Sequence, residues 1–526
     1  MSTDKMMYFG MFILLQVLTP VVTQRVRMCY YTSWSQSRFR PSDIDATLCT
    51  HIIYAFARVN SVDNTLATVR YNDLELYNNV TSLKAKNPDL KVLLAVGGFN
   101  FGSAGFIAVA QDDKKTTLFA DNAVNYLRQH RFDGLDVDWE FPNPSTRGIY
   151  QRFVQRLREA FQREAAAGNG TRLLLTLAVS ANHEIASTWY GPNTLMRYAD
   201  YILLMTYDFW GTWINRLANH SPLYIRPQDA NDIDLGRFSA NKTVQTWLSQ
   251  GASREKLVMG FATYARTATM NSVEENELGD LYNTRQKGSP GRLTGESGLL
   301  SYSEMCENLQ NDATNWRTVF EASSGVPHAY RSAWPLDWVS YDNPTSFRTK
   351  AEYIVEQGLA GAMIWSLDFD DYLGQYCNLG SYPLISQIKS VFQNQSDLER
   401  PTPAANAIPT TRVTNVIPTT RVANVMSTTL ETNVVATNSP GGSAGARTLP
   451  TTGTTTTTES NPRRCLQTEK CPEAFGYYAD CTNCTRFFHC SFHVPHTINC
   501  PPGLRYQAHL SVCDWPGNVY CPHEDM

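Results

Sequence analysis

The run Phe132-Asp133-Gly134-Leu135-Asp136-Val137-Asp138-Trp139-Glu140-Phe141-Pro142 constrains this chain more than any other stretch. Acids at 136, 138 and 140 alternate with Leu135, Val137 and Trp139. In an extended strand alternate side chains share a face, spaced about 6.5–7 Å apart, or two strand rises. One face is therefore a row of three carboxylates, and the other is apolar and expected to meet covering helices. The three acids cannot all ionise freely. Like charges raise one another's pKa, so at least one is expected to keep its proton near neutral pH. A calcium loop is the rival reading, but such loops are irregular and rich in Gly and Asn. Here the acids alternate with bulky apolar residues and run into Phe141-Pro142.

Around this run the chain repeats a simple pattern. Short β-rich runs are predicted at Val26–Tyr31, His51–Ala57, Lys91–Gly97, Gly134–Glu140, Leu173–Val179, Tyr201–Tyr207, Leu257–Phe261 and Gly361–Leu367. Helical periodicity fills stretches such as Thr116–Gln129, Tyr150–Ala167 and Phe347–Gln357. Eight strands alternating with helices predict an α/β fold, a (β/α)8 TIM barrel, whose site lies at the C-terminal ends of the strands. The acid row ends the fourth run. The gap between the seventh and eighth runs is too long for a crossover, and residues about 265–338 are expected to form an inserted lobe.

The rest of the chain is organised differently. Lys5, the apolar Met6–Leu18 and the small residues Val21 and Thr23 read as a signal peptide over residues 1–23, cleaved on export. The apolar run is short for a membrane span, so no membrane association is expected after cleavage. A net charge of −4 without a basic stripe argues against nucleic acid. Of twelve cysteines, Cys29, Cys49, Cys306 and Cys377 lie in residues 24–395, and eight crowd residues 465–526. That density suits an oxidising compartment and a small stapled domain; secretion and the lack of paired C-x-x-C knuckles argue against zinc. Between them, residues 396–464 repeat Ile408-Pro409-Thr410-Thr411-Arg412-Val413 as Ile417-Pro418-Thr419-Thr420-Arg421-Val422 and include the run Thr454–Thr458. This Thr/Pro-rich segment reads as an extended linker, O-glycosylated or unmodified. Glycosylation sequons begin at Asn79, Asn169, Asn219, Asn241, Asn394 and Asn483, the Asn219 one weakened by Pro222.

A protonated acid beside an ionised one is what cleavage of a glycosidic bond requires. The D-x-x-D-x-D-x-E pattern ending at Glu140 resembles the signature of family 18 glycoside hydrolases, the chitinases and their lectin-like relatives. Further stretches resemble the family in order: Cys29-Tyr30-Tyr31-Thr32-Ser33-Trp34, Gly97-Gly98-Phe99-Asn100, Met205-Thr206-Tyr207-Asp208, Tyr264-Ala265-Arg266 and Met363-Ile364-Trp365. The resemblance implies that the inserted lobe is a small α+β unit walling the cleft. It implies secreted, endo-acting hydrolysis of β-1,4-linked N-acetylglucosamine polymers, with retention through the substrate's own acetamido group. Glu140 is the implied acid, Asp138 orients the acetamido group, and Asp136 shares a proton with Asp138. Asp133, of opposite parity, is as compatible with strand support as with catalysis. Tyr207 donates to the acetamido carbonyl, Met205 lines its pocket or fills the barrel, and Asp208 and Arg266 contact substrate or pair with each other.

The resemblance also implies that Trp365 forms the floor and that Trp34, Phe99 and Trp213 form flanking platforms. Tyr30, Asn100 and Tyr264 complete the substrate-binding set. Phe99 stands where the animal enzymes usually carry Trp, and Ser37 where they often carry Tyr, which implies weaker outer subsites. No metal or organic cofactor is called for, and a monomer is expected. The same resemblance implies disulfides Cys29–Cys49 and Cys306–Cys377. The last segment is similar to peritrophin-type (family 14) chitin-binding modules in its cysteines, in Gly476-Tyr477-Tyr478 and Phe487-Phe488, and in Cys513-Asp514-Trp515-Pro516. This implies a small disulfide-rich β domain with pairs Cys471–Cys490, Cys484–Cys521 and Cys500–Cys513. The surplus Cys465 and Cys481 are expected to pair with each other. Tyr477, Phe487, Phe488, Tyr506 and Trp515 are its candidate chitin contacts. A catalytically silent chitin-binding lectin is the alternative function.

Overall fold

Eight parallel strands close on themselves: β1 (Val26–Thr32), β2 (His51–Asn60), β3 (Lys91–Gly97), β4 (Gly134–Asp138), β5 (Leu174–Ser180), β6 (Tyr201–Met205), β7 (Leu257–Ala262) and β8 (Gly361–Trp365). Each pairs with the next, and β8 returns to β1 through Val26↔Gly361 to Cys29↔Ile364, completing a TIM barrel. The computed structural model describes residues 24–398 apart from 169 and 212, together with 465–466, 471, 475–491, 494–500, 505–507 and 512–514. The expected signal peptide and linker residues 399–464 lie outside the described residues; residues 396–398, expected to open the linker, instead end the helix Pro383–Leu398.

Alternation along the strands separates two cores. Met28, Tyr30, Ile53, Ala55, Leu93, Ala95, Leu203, Val258 and Met363 fill the barrel. Leu135, Val137 and Trp139 join the outer layer, where Trp139 stacks on Phe106 with ring centroids 4.8 Å apart. The helices over the outer layer include Asp113–Gln129, Arg147–Ala166 and Pro344–Glu356, the first capped by the Asp112 carboxylate, which accepts from the N–H groups of Lys114 and Lys115.

Several strands end earlier than their sequence runs. β4 stops at Asp138, β6 at Met205 and β8 at Trp365, so Glu140, Tyr207 and Leu367 stand beyond the ladder. Leu367 there packs into the outer layer, while Tyr207 joins the inner core. β2 instead continues to Asn60, because Ala57–Asn60 pair with a hairpin strand, Thr65–Thr68.

Two glycines allow the acid strand its close neighbours. A Cβ at Gly134 would meet the Leu174 carbonyl oxygen at 2.4 Å. Gly97 has φ +112°, and its Cβ would stand 2.1 Å from the Asp138 carbonyl oxygen.

Between β7 and β8 lies an α+β insertion. Its sheet runs Tyr282–Lys287, Tyr264–Met270, Asp337–Ser340, Val326–Arg331, Trp316–Glu321, with Leu299–Ser301 also on the second strand. Its helix, Tyr302–Asn311, begins with a reciprocal cap between Ser301 and Glu304. Cys29 is bonded to Cys49, and Cys306 to Cys377, which ties this helix to the loop after β8.

The C-terminal strands Cys465–Leu466, Phe475–Asp480, Arg486–Ser491 and Val494–Asn499 form one small sheet, and Arg505–Gln507 pairs with Val512–Asp514. Cys471, Cys481, Cys484 and Cys500 are disulfide-bonded. The side chains of Cys465, Cys490, Cys513 and Cys521, expected as their partners, lie outside the described residues, as do those of Tyr477 and Trp515. Tyr506, expected to face a sugar, is only 3% exposed and stacks on Phe487 at 4.2 Å, so it packs the module's interior. Phe487 and Phe488 are half-buried. No helix among the described residues is long and apolar enough to cross a membrane.

Candidate active site

Asp136 and Asp138 point from β4 into the barrel, and both are buried. The Tyr30 hydroxyl on β1 donates to Asp136 Oδ2 at 2.7 Å, and Thr176 Oγ1 on β5 donates to Oδ1 at 2.6 Å. Burial pushes Asp136 up to about 6, against the pull of those two donors. With both oxygens engaged by hydroxyls, Asp136 faces protein rather than a cation. Asp138 has the opposite problem. Burial, then the charges of Glu140 and Asp136, hold its carboxyl well above the usual range, and its Oδ1 is buried with no hydrogen-bond partner. A buried acceptor left open in this way is costly unless something supplies a donor.

Glu140 follows the strand and is partly exposed at the barrel mouth. Its enclosed surroundings, then the charge of Asp208, push it up to about 8. The row thus holds, at its outer end, a carboxyl pushed up to about 8, beyond two buried carboxyls that burial also raises. Asp133 lies at the other end of β4. It accepts from Lys84 Nζ at 3.0 Å and from the Val92 N–H at 2.7 Å, so of its two readings the structure supports strand anchoring.

The rest of the constellation comes from other strand ends. Tyr207 is nearly buried, with its hydroxyl 3.5 Å from Met363 Sδ. Met205 packs against the inner core while staying partly exposed. Asp208, at φ 55°, holds Arg266 through two 2.7 Å hydrogen bonds. Arg266 in turn lies over the Tyr264 ring, 5.4 Å from its centroid. Trp365 is partly exposed, supported by Tyr30 at 5.0 Å and flanked by Phe56 at 5.9 Å and Trp34 at 6.2 Å. Trp34 is 41% exposed and Phe99 51%; Asn100 is exposed and Trp213 partly so.

Two members of the expected substrate-binding set are not at the surface. Tyr30 is buried under Trp365, and its hydroxyl donates to Asp136 rather than facing the cleft. Tyr264 is buried between Tyr207 and Arg266 and supports them. Of the sequons, Asn219 is buried, its Nδ2 donating to Ser324 Oγ at 3.0 Å, and Asn241 accepts from the Tyr353 hydroxyl at 2.9 Å.

Sequence reasoning passed over three residues. Thr176 was within reach, as an inward polar position in an apolar run. Phe56 was not, because the pairing of β2 with β3 shifts register between Tyr54 and Ala57 and parity no longer says where a side chain points. His220 is buried behind Asp208, Nδ1 3.9 Å from Asp208 Oδ1, and no local motif announces it.

Comparison with known proteins agrees with this geometry. Residues 26–370 match the profile of Glycosyl hydrolases family 18, and residues 471–521 match the Chitin binding Peritrophin-A domain. Chitotriosidase-1 of Mus musculus is 36% identical over 399 residues, 73% of this chain and 82% of the relative. An endochitinase of Brugia malayi is 34% identical over 519 residues, 97% of each chain. A solved structure of human YKL-39, described as a pseudo-chitinase with retained chitooligosaccharide binding properties, is 34% identical with TM-score 0.66, covering 70% of this chain and all of that one. An acid row on a barrel strand, a match spanning the whole barrel and a chitin-binding match at the other end lead to one assignment: the chain belongs to glycosyl hydrolase family 18 and carries a C-terminal peritrophin-A chitin-binding domain.

Proposed function

We propose that this chain is a secreted, monomeric endochitinase that hydrolyses β-1,4-linked N-acetylglucosamine polymers with retention of configuration. The observation that carries the reading is Glu140, its proton retained to about pH 8, placed after buried Asp138 with its unpartnered Oδ1. Glu140 donates its proton to the glycosidic oxygen as the bond breaks. A retaining glycosidase ordinarily uses a second carboxylate as nucleophile, but this family uses the substrate instead. Asp138 Oδ1 accepts the acetamido N–H, and its proximity favours the positive charge that develops as the acetamido oxygen attacks the anomeric carbon. Tyr207 turns its hydroxyl from Met363 to the acetamido carbonyl. Glu140, now ionised, takes a proton from the water that opens the oxazolinium ion. Trp365 packs against the apolar face of the sugar, and Trp34 and Phe99 extend the platform.

The peritrophin-A domain, joined through residues 399–464, holds the barrel near insoluble chitin and raises the local concentration of chain segments. A catalytically silent lectin is the second reading, favoured by the similarity to YKL-39. The test is hydrolysis of an N-acetylchitooligosaccharide by the full chain and by Glu140→Gln, with the product anomer followed by NMR. The β-anomer released first by wild type, with an inactive but still sugar-binding variant, supports the enzyme. Binding of the oligosaccharide without cleavage between pH 4 and 9 supports the lectin.

A further inference from the structure

His220 is 0% exposed, and neither ring nitrogen has a hydrogen-bond partner among the described residues. Its position is held from several sides. Its carbonyl accepts from the Phe209 N–H at 2.8 Å and its own N–H donates to Ser340 Oγ at 2.9 Å. Its ring lies 5.3 Å from that of Tyr264, tilted at 43°. Next to it, Ser221 Oγ donates to Asp342, which is paired with Lys350. The imidazole thus stands fixed with Nδ1 3.9 Å from Asp208 Oδ1, about 1 Å beyond hydrogen-bond length. Asp208 is meanwhile occupied by Arg266.

We propose that His220 is a positioning residue for the reaction, a reserve donor whose Nδ1–H takes up Asp208 when substrate draws Asp208 or Arg266 out of their mutual pair. The inference rests on the chitin-cleaving reading of the site. A buried imidazole without partners is disfavoured relative to an apolar ring of similar shape. It is explained if the missing partner arrives in another state of the site, and Asp208 is the acceptor the geometry offers. The groups facing His220 are Asp208 after β6, Tyr264 and Arg266 on the insertion strand, and Asp342 and Lys350 behind it. Burial holds its pKa down near about 4 despite the charges of Asp208 and Asp342, with Arg266 and Lys350 adding to the depression. At working pH the ring is therefore neutral, with one nitrogen to donate. Asp208 contributes to the high proton affinity of Glu140. Donation from His220 shields that charge, so its loss moves the alkaline limb of activity to higher pH.

The full chain is compared with His220→Phe, which keeps a ring but no donor, and His220→Gln, which keeps a donor. The expected result for His220→Phe is an unchanged or raised Tm, a kcat/KM lowered about tenfold, the scale of one hydrogen bond to a charged group, and an alkaline limb moved upward. His220→Gln recovers most of the loss. If His220→Phe does not fold, His220→Met takes its place. A His220→Phe enzyme with wild-type kcat/KM and pH limb overturns the proposal, whatever its Tm. If wild type binds chitotetraose without cleaving it, the enzyme reading fails on its own. Calorimetric affinity for chitotetraose then decides: about a tenfold loss in His220→Phe, restored in His220→Gln, supports the role, and equal affinities overturn it.

Discussion

Replacing Tyr30 by Phe removes one oxygen and little else. The ring stays under Trp365, and its buried hydroxyl is the donor to Asp136 Oδ2 at 2.7 Å. Asp136 then keeps only the donor from Thr176. A hydrogen bond to a buried charge is worth about 1.5–3 kcal/mol, or about 1–2 pKa units on the acceptor. The Asp136 pKa therefore rises from about 6 by that amount. In the proposed scheme the Asp136–Asp138 pair must share a single proton, because a doubly protonated pair cannot meet the cationic intermediate. The acid limb of kcat against pH therefore moves upward by about 1–2 units, while the alkaline limb, set by Glu140 near about 8, stays in place.

Stability supplies a control of known sign. A carboxylate whose folded pKa lies above its unfolded value loses stability as pH rises between the two. Raising Asp136 further makes the Tm deficit of Tyr30→Phe constant below about pH 6 and growing from there to about pH 8. The assay is chitooligosaccharide hydrolysis in half-unit pH steps, beside thermal melts in the same buffers. An acid limb that does not move, with a Tm deficit independent of pH, refutes the reasoning.

Other consequences follow from particular contacts. The wild-type alkaline limb is expected near pH 8, because Glu140 loses its proton there, and neutralising Asp208 as Asn lowers it; a limb set by another group would ignore that change. Gly97→Ala forces a Cβ onto the Asp138 carbonyl oxygen at a positive φ and is expected to cost at least about 2 kcal/mol in urea unfolding, with activity lost before the fold. Asp133→Asn is expected to lower the urea midpoint through the Lys84 and Val92 contacts while leaving kcat within about twofold of wild type, since it lies at the far end of β4 from the acids. Phe99→Trp enlarges an exposed platform and is expected to lower KM for long oligomers but not short ones; no gain on long oligomers removes the argument for weak outer subsites.

The extent to which the sequence could be read depends on the range of the interactions. Alternation is local, so the inward acids and the outward Leu135, Val137 and Trp139 could be assigned from residues 132–142 alone. The strand ends could not. At Asp138 and Met205 the chain leaves the ladder, leaving Glu140 and Tyr207 beyond it, and periodicity carries no information about that departure. Tyr30 shows a second limit. A tyrosine at a strand end looks like a sugar contact until its hydroxyl is found committed to an acid 106 residues away. His220 shows a third. It reaches Asp208 only because the insertion after β7 brings Tyr264 and Ser340 against the loop that carries it, and Ser340 is 120 residues distant. The acids are therefore legible as a row, but what sets their protonation is distributed over β1, β5 and the loop after β6. Two chains could share residues 132–142 and still differ in pH dependence through Tyr30, Thr176 and Asp208 alone.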